Sequence, residues 1–459
     1  MTGPRNIAVI DVGKTNVKVA LVDLEEREEL AVLTRPNIVK PGPPYPHFDT
    51  EGHWRFILSA LSTLQDDHGI DAVSVTTHGA SAALLAEDGS LATPILDYEH
   101  DGPEESAAEY EALRPAFAET GSPRLAGGLN VGAQLHWQFT RDAGLHDRTA
   151  SILTYPQYWG HRLTAVVASD VTSMGCHTDL WEPRSGCLSE LVDRLGIREK
   201  LAPVRKPGDV LGTVLPDIAQ FAGLRPGVPV ACGIHDSNAS LLPYVLRHQP
   251  PFNVVSTGTW VIVMSIGGTD VRPDPKRDAL LNVNAFGHAV PSVRFMGGRE
   301  FDIGQGDKPA GVTDAALTKV LENQIMLLPA IVADTGPYQG MQSRWVGVEP
   351  AVGEPTRAAA LALYLAMMTA TCLEISGGRG DNFVEGPFAE NQLFLEMLAA
   401  ATGQSTYAAA AKTGTAIGAA MLFSESTRAL DVKRVKTPKH SKNMRRYAEA
   451  WRAAVAAVD

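Results

Sequence analysis

The sequence predicts a two-domain α/β fold on three observations. Apolar, β-branched runs alternate with helix-patterned segments from the N-terminus onward. The strand–turn–strand pattern "IAVIDVGKTNVKVALVD" at 7–23 returns as "FNVVSTGTWVIVMSIGG" at 252–268, one copy near the start of each half, so the architecture restarts. A chain of 459 residues, 44% hydrophobic and 20% charged, is also long enough for two or three domains with substantial cores.

Taken in order, residues 7–11 and 17–23 read as strands and 29–35 as a third, followed by a helix over 53–67 that starts after Thr50 and Glu51. "DAVSVTTHG" (71–79) is a further strand ending at glycine, and 103–119 and 188–201 carry helical patterns. "GLNVGAQLHWQFTRD" (128–142) is a loop entering a helix, and "GVPVACGIHDSNASLLPY" (227–244) a short buried strand, a polar turn and a helix. Pro250-Pro251 marks a linker before the second strand pair. "FVEGPFAENQLFLEMLAAATG" (383–403) reads as strand, glycine turn and helix, "AKTGTAIGAAML" (411–422) as glycine turn and small-residue helix, and "NMRRYAEAWRAAVAAVD" as an amphipathic closing helix.

Composition narrows the function. A formal net charge of −12 argues against the broad cationic surface of a nucleic-acid or anionic-membrane binder. Cys176, Cys187, Cys232 and Cys372 are widely spaced with no CxxC pair, which points to reduced cytosol rather than a disulfide framework or zinc site. No secretory signal precedes the first strand. The longest apolar run, Ala358–Leu373, falls short of the ~20 residues of a membrane helix and reads as an interior helix.

Several turns carry candidate chemistry. A glycine-bearing turn exposes backbone N–H groups to an anion, and "DVGKT" with the following residues supplies Gly13 for close approach, Thr15 and Asn16 for hydrogen bonds, Lys14 or Lys18 for charge and Asp11 at the strand end. A carboxylate there suits hydrated Mg2+. The same turn equally suits a plain hairpin loop whose polar residues face water. "STGTW" repeats the chemistry without charge through Thr257, Gly258 and Thr259. Asp236, directly after a buried strand, is placed either to take a hydroxyl proton or to cap the helix "ASLLPYVL". Gly414 and Gly418 fit either a nucleotide lying across a helix start or close helix packing. No HExxH, GxSxG or Walker pattern occurs.

In order and spacing these pieces resemble the FGGY family of carbohydrate kinases, members of the actin, hexokinase and Hsp70 ATPase group. "DVGKTNVK" is similar to its first phosphate motif, "GIHDSNAS" to the segment with its catalytic aspartate, "STGTW" to its second phosphate motif, and "EGPFAEN" with "GTAIGAA" to its adenosine motif. "VTTHGASAALLAEDGSLATPI", "HDSNAS", "STGTWVIVMS" and "SDVTSMGCHTDLWEPRSG" look most like the L-fuculose and L-rhamnulose kinase branch.

The resemblance implies two actin-like (ribonuclease H-like) ATPase domains, 1–246 on the sugar and phosphate side and 247–459 on the nucleotide side, with a central cleft that closes on binding. It implies ATP, Mg2+ and a sugar ketose as ligands, a cytoplasmic location and a homodimer, with neither nucleic acid nor membrane as partner. Asp236 becomes the general base and, with Asp11, a metal support. Gly13, Lys14, Thr15, Asn16, Lys18, Thr257, Gly258 and Thr259 face the phosphates; Gly386, Pro387, Phe388, Asn391 and Gly414 line the adenosine side. His78, Gly79, Ala80, Asp97, Tyr98, Gln134 and His235 face the sugar. Departures from the family pattern are Lys14 in place of a small residue or Thr, the bulky Pro387-Phe388, and "ILDYEHDG" (95–102), which bears on the sugar. Alternatives are a kinase for another sugar or polyol (pentulose, tetrulose, glycerol) and a non-catalytic nucleotide or sugar sensor; Asp11, Asp236 and both turns disfavour the sensor.

Overall fold

The computed structural model describes residues 3–409, 414–424 and 430–458. The chain divides between residues 246 and 247 into two compact units, and two later stretches, 281–289 and the described residues 414–424, belong to the first. The first unit is therefore not one contiguous stretch of chain.

Its sheet is organised around Asn6–Val12, which pairs antiparallel with Asn16–Asp23 on one side and parallel with Ala72–Thr77 on the other. Ile7, Ala8, Val9, Ile10 and Val12 lose all solvent exposure. A strand covered on both faces has no polar side, so the segment reads as a continuous apolar run rather than an alternation. Pro229–Ala231 and Ile234–His235 both lie parallel to Ala72–Thr77 beyond it, and Val210–Thr213 and Glu28–Pro36 close the two edges. One face is covered by the helices Thr50–His68 and Tyr155–Thr164, whose Ile57, Leu61, Tyr158 and Trp159 pack with Ile10, Val12 and Val75. The other is covered by Asp236–Arg247 and Thr415–Ala420, through Ala239, Leu242 and Ile417 against Ile7 and Val9. Gly418 sits where the two latter helices meet: a Cβ there would lie 1.8 Å from the Ala239 carbonyl oxygen. Close packing is thus the use of Gly418.

The second sheet repeats the plan. Phe252–Thr257 pairs antiparallel with Val261–Ile266 and parallel with Asp381–Glu385, the relations that Asn6–Val12 has in the first sheet. Pro355–Ile375 is long and apolar enough to cross a membrane, yet 83% of its apolar window is buried inside the structure, as the interior reading expects. The helix Ser441–Ala456 buries Met444, Tyr447, Ala448, Trp451 and Val455, a stripe at helical spacing.

Two expected helices are shorter than the sequence pattern suggests. Over 103–119 the chain forms a 3-10 turn, then Ala107–Leu113, breaks at Arg114, which is extended because Pro115 disfavours helical geometry before it, and resumes only as the single turn Phe117–Thr120. Over 188–201 only Leu191–Arg194 and a 3-10 turn, Arg198–Lys200, form, with Gly196 at φ 66° between them.

The core of the second unit holds one buried carboxyl. Glu300 accepts from Tyr364 Oη at 2.8 Å and from the Val332 N–H at 3.1 Å. Burial pushes it up to about 7, above the 4.5 of a free glutamate. Its protonated form therefore stabilises the fold fully below the unfolded value, and that contribution is lost as pH rises through about 7. Between pH 5 and pH 8.5 the wild type should lose about 3 kcal/mol relative to Glu300→Gln, read from paired denaturant melts. Gly418→Ala should cost roughly 1–3 kcal/mol by overpacking, read as a lowered thermal midpoint.

Candidate active site

Three parallel strands of the first unit deliver the polar groups to one place. Asp11 stands opposite Thr76, Ile234 stands opposite the same Thr76, and the His78 N–H donates to the Val12 carbonyl at 3.0 Å. Asp11, His78, His235 and Asp236 consequently emerge together at the carboxyl ends of their strands, the edge at which open α/β sheets bind ligands.

Asp236 is the first residue of its helix and accepts from the Ser237 N–H at 2.5 Å and the Ser237 hydroxyl at 3.2 Å. Its side chain keeps 34% exposure, so one carboxylate serves the helix start and still meets solvent. These bonds go to the adjacent residue only and leave the carboxylate able to accept a proton. Behind it His235 Nε2 lies 3.1 Å from Asp236 Oδ1 and 3.6 Å from Cys176 Sγ. Burial opposes charge on both His235 and Cys176, but each favours the other's charged form, with His177 aiding the thiol, so the imidazole is drawn up and the thiol down. The segment that carries Cys176 is fixed by Asp170, which accepts from the Thr172 and Ser173 N–H groups at 2.8 and 3.2 Å; the Thr172 hydroxyl in turn accepts from the His235 N–H at 3.0 Å. Cys176 was not singled out in the sequence, because a cysteine without spaced partners carries no local signal.

Asp11 pairs across the hairpin with Lys18. Burial and then the nearby Asp236 carboxylate push its carboxyl up to about 6, and Lys18 acts against the shift. Two carboxylates under mutual repulsion form a hard oxygen donor set of the kind Mg2+ takes alongside water and phosphate oxygens. No group of three or more metal-ligating side chains occurs among the described residues.

The first turn is a tight one, with the Gly13 N–H donating to the Asn16 carbonyl at 2.9 Å and Thr15 exposed at its tip. Its shape is held from behind by Asn37. The Asn37 side chain donates to the Gly13 carbonyl at 2.8 Å and accepts from His53 Nε2 at 2.8 Å, while its own N–H donates to the Thr15 carbonyl at 2.9 Å. Nothing in the local pattern around Asn37 announces this, since the contact spans 24 residues.

The sequence leaves Lys14 two partners, a nucleotide phosphate or an acidic residue across the cleft, and the structure gives it two carboxylates of its own unit. Instead of pointing to the phosphate tip, Nζ is ion-paired with Asp97 and, at 3.0 Å, with Glu99, and it lies 4.7 Å from the Tyr98 ring centre. Two carboxylates and an aromatic face outcompete water for the ammonium.

Burial pulls His78 down to about 4, so it is neutral at physiological pH. His78 Nδ1 lies 2.7 Å from the Gly79 carbonyl, which only accepts, so Nδ1 carries the proton and Nε2 is a bare acceptor. That Nε2 is buried without a partner, a vacancy that suits a ligand hydroxyl. Gly79 is required by crowding, since a Cβ there would come within 3.0 Å of His235 Nε2 and 3.1 Å of Cys176 Sγ. Ala80 holds φ 57°, and Gln134 steadies it by donating to its carbonyl at 2.6 Å. Gln134 is thus a support for the turn, with its amide nitrogen also engaged by the Gly128 carbonyl.

In the second unit the Thr257 hydroxyl donates to the Glu385 carbonyl at 2.5 Å and accepts from the Phe388 N–H at 3.0 Å, so it ties two strand ends instead of facing a phosphate. Gly258 and the exposed Thr259 remain at the tip. Gly298, unnoticed in the sequence, lets another segment pass beneath them: its Cβ would lie 2.2 Å from the Gly258 carbonyl oxygen. Gly386 (φ 79°) and Pro387 are exposed, whereas Phe388 is packed against Phe301 and Phe394 in the core, and Asn391 caps the next helix by accepting from the Phe394 N–H at 3.1 Å. Phe388 and Asn391 are therefore structural supports. Gly414 precedes Thr415–Ala420 with open space around it and belongs to the first unit; residues 411–413 of the expected turn lie outside the described residues.

Paired β-hairpins on two α/β units, with carboxylates at the strand ends, define a two-domain protein of the actin-like ATPase fold. The comparisons agree. A model of the FGGY family of carbohydrate kinases, N-terminal domain, matches residues 6–243, and one of carbohydrate kinase FGGY, C-terminal domain, matches 249–431. The chain belongs to the FGGY family of carbohydrate kinases. It is 35% identical to the solved structure of a carbohydrate kinase from Novosphingobium aromaticivorans, with 99% of each chain covered and a TM-score of 0.91. It shares its fold, at 15% identity and a TM-score of 0.77, with a xylulose kinase from Lactobacillus acidophilus over 99% of this chain and 98% of that one. An L-fuculokinase of Salmonella typhi is 25% identical over 272 residues, 57% of each protein; the chain thus matches little more than half the length of that curated relative.

Because Asn37 holds the turn through side-chain hydrogen bonds on both sides, Asn37→Ala should cost roughly 1–2 kcal/mol and speed amide exchange at residues 13–16 relative to the rest of the sheet. Unchanged exchange there would remove Asn37 from this role.

Proposed function

We propose that the chain is an ATP-dependent sugar kinase that transfers the γ-phosphoryl group of ATP to a hydroxyl of a ketose, with a 6-deoxy-ketohexose such as L-fuculose or L-rhamnulose as substrate. The observation that carries the reading is Asp236, a half-exposed carboxylate beside the unpartnered, buried acceptor His78 Nε2. The match to L-fuculokinase supports the sugar class.

In this reading the sugar binds with one hydroxyl donated to His78 Nε2 and the reacting hydroxyl on Asp236. Asp236 takes the proton as the oxygen attacks phosphorus; the bond from the γ-phosphorus to its bridging oxygen breaks, and ADP leaves with that electron pair. His235 donates from Nε2 to the Asp236 carboxylate and fixes its orientation. The backbone of the turns at Gly13–Asn16 and Gly258–Thr259, with Lys18, faces the phosphates, and Gly386, Pro387 and Gly414 serve the adenosine side. Asp11 and Asp236 would hold Mg2+, which when bound supplies positive charge to the phosphate oxygens. The enzyme is a cytoplasmic homodimer in this reading.

Asp236→Ala should lower kcat by about 10²–10⁴-fold while nucleotide binding survives. The check is a coupled ADP-release assay over ketoses, free aldoses and polyols, alongside calorimetric ATP binding. Near-wild-type turnover in the variant would sink Asp236 as base; a flat response to the whole panel by the wild type, with ATP still bound, would sink the kinase reading.

A further inference from the structure

Lys14 sits in the phosphate hairpin by sequence, yet its ammonium is turned to the sugar side. It is ion-paired with Asp97 and Glu99 and lies over the rings of Tyr98 and Phe48, at 4.7 and 5.5 Å from their centres. Those two rings flank His78, at 5.0 and 5.2 Å. The Asp236 carboxylate acts electrostatically on both His78 and Tyr98, so base, hydroxyl acceptor and ion pair border the same space. The charges there do not balance. One ammonium faces the two carboxylates of Asp97 and Glu99, which leaves −1, while the Asp236 carboxylate is matched by the His235 imidazole 3.1 Å away.

We propose that Lys14, Asp97 and Glu99 form a charge filter that admits neutral polyhydroxylated sugars and rejects sugar acids. The ammonium is engaged by its own carboxylates and is not offered to a substrate carboxylate, while the net negative charge repels one. A neutral sugar instead finds carboxylate acceptors and the His78 acceptor for its hydroxyls, groups that a site hydrogen-bonding hydroxyls uses to discriminate. The filter rests on the kinase reading above and narrows its substrate to the uncharged class.

The test compares kcat/KM for L-fuculose and L-rhamnulose with that for L-fuconate and D-gluconate by ADP release, in wild type, Lys14→Met and the double variant Asp97→Asn/Glu99→Gln. Thermal midpoints and ATP affinity verify that each variant is folded. Wild type should prefer the neutral sugars by on the order of 100-fold. The double variant leaves the ammonium unengaged and should shift the ratio toward acids by about tenfold or more, whereas Lys14→Met should shift it further toward neutral sugars. A merely structural role would move both substrate classes together. Equal use of acids by the wild type, or an unchanged ratio in both folded variants, overturns the filter. If nothing in the panel turns over, the kinase reading falls, and calorimetric binding of the same sugars decides the filter separately: neutral over acid upholds it, while any other order, or no binding, overturns it.

Discussion

Two carboxylates stand at the ends of parallel strands that flank Ala72–Thr77 on either side, and much of the first unit exists to tolerate that. Asp11 is the one acidic residue in a strand whose apolar residues lose all contact with water, and the charge of Asp236 adds to the cost of ionising it. Lys18 across the hairpin lowers that cost, and the His235 imidazole lies 3.1 Å from the Asp236 carboxylate. His235 is itself held by Thr172 and accompanied by Cys176, both carried by a short segment that Asp170 fixes from within the core. Perturbed carboxylates of this kind, raised by burial and by a second charge, cluster at functional sites.

The same economy of geometry recurs in the second unit. Phe252–Thr257 and Asp381–Glu385 bring Gly258, Thr259 and Gly386 to their carboxyl ends, as the first sheet brings Asp11, His78 and Asp236. Glycines at 298 and 386 let backbone segments approach to distances no side chain would permit, and the Thr257 hydroxyl ties the strand ends together. The two units thus use one topology for different ends: the first holds ionisable chemistry, the second a neutral backbone surface.

Much of this was readable along the chain. Continuous apolar runs announced the central strands because a strand buried on both faces tolerates no polar side, and the hairpin tips followed from glycine between such runs. The placement of Asp236 after a buried strand was legible for the same reason, as was the resemblance to the FGGY family, which depends on order and spacing. Helix lengths were less legible: Pro115 and Gly196 overrode patterns that looked helical over longer spans. Phe388, Thr257 and Gln134, which the resemblance places against ligands, are packed or hydrogen-bonded within the protein.

What the sequence by itself determined is the fold class, the two hairpins and the identity of the acid at the strand end, because these depend on short-range periodicity and on residue chemistry at a turn. Only the tertiary structure decided what the side chains near those turns do. Lys14 reaches residues 83 and 85 positions away, Asn37 supports a turn 24 residues earlier, and Cys176 meets a histidine 59 residues later. Such partners are chosen by strand register and loop path, which place distant groups within a few ångströms, and no local pattern encodes them.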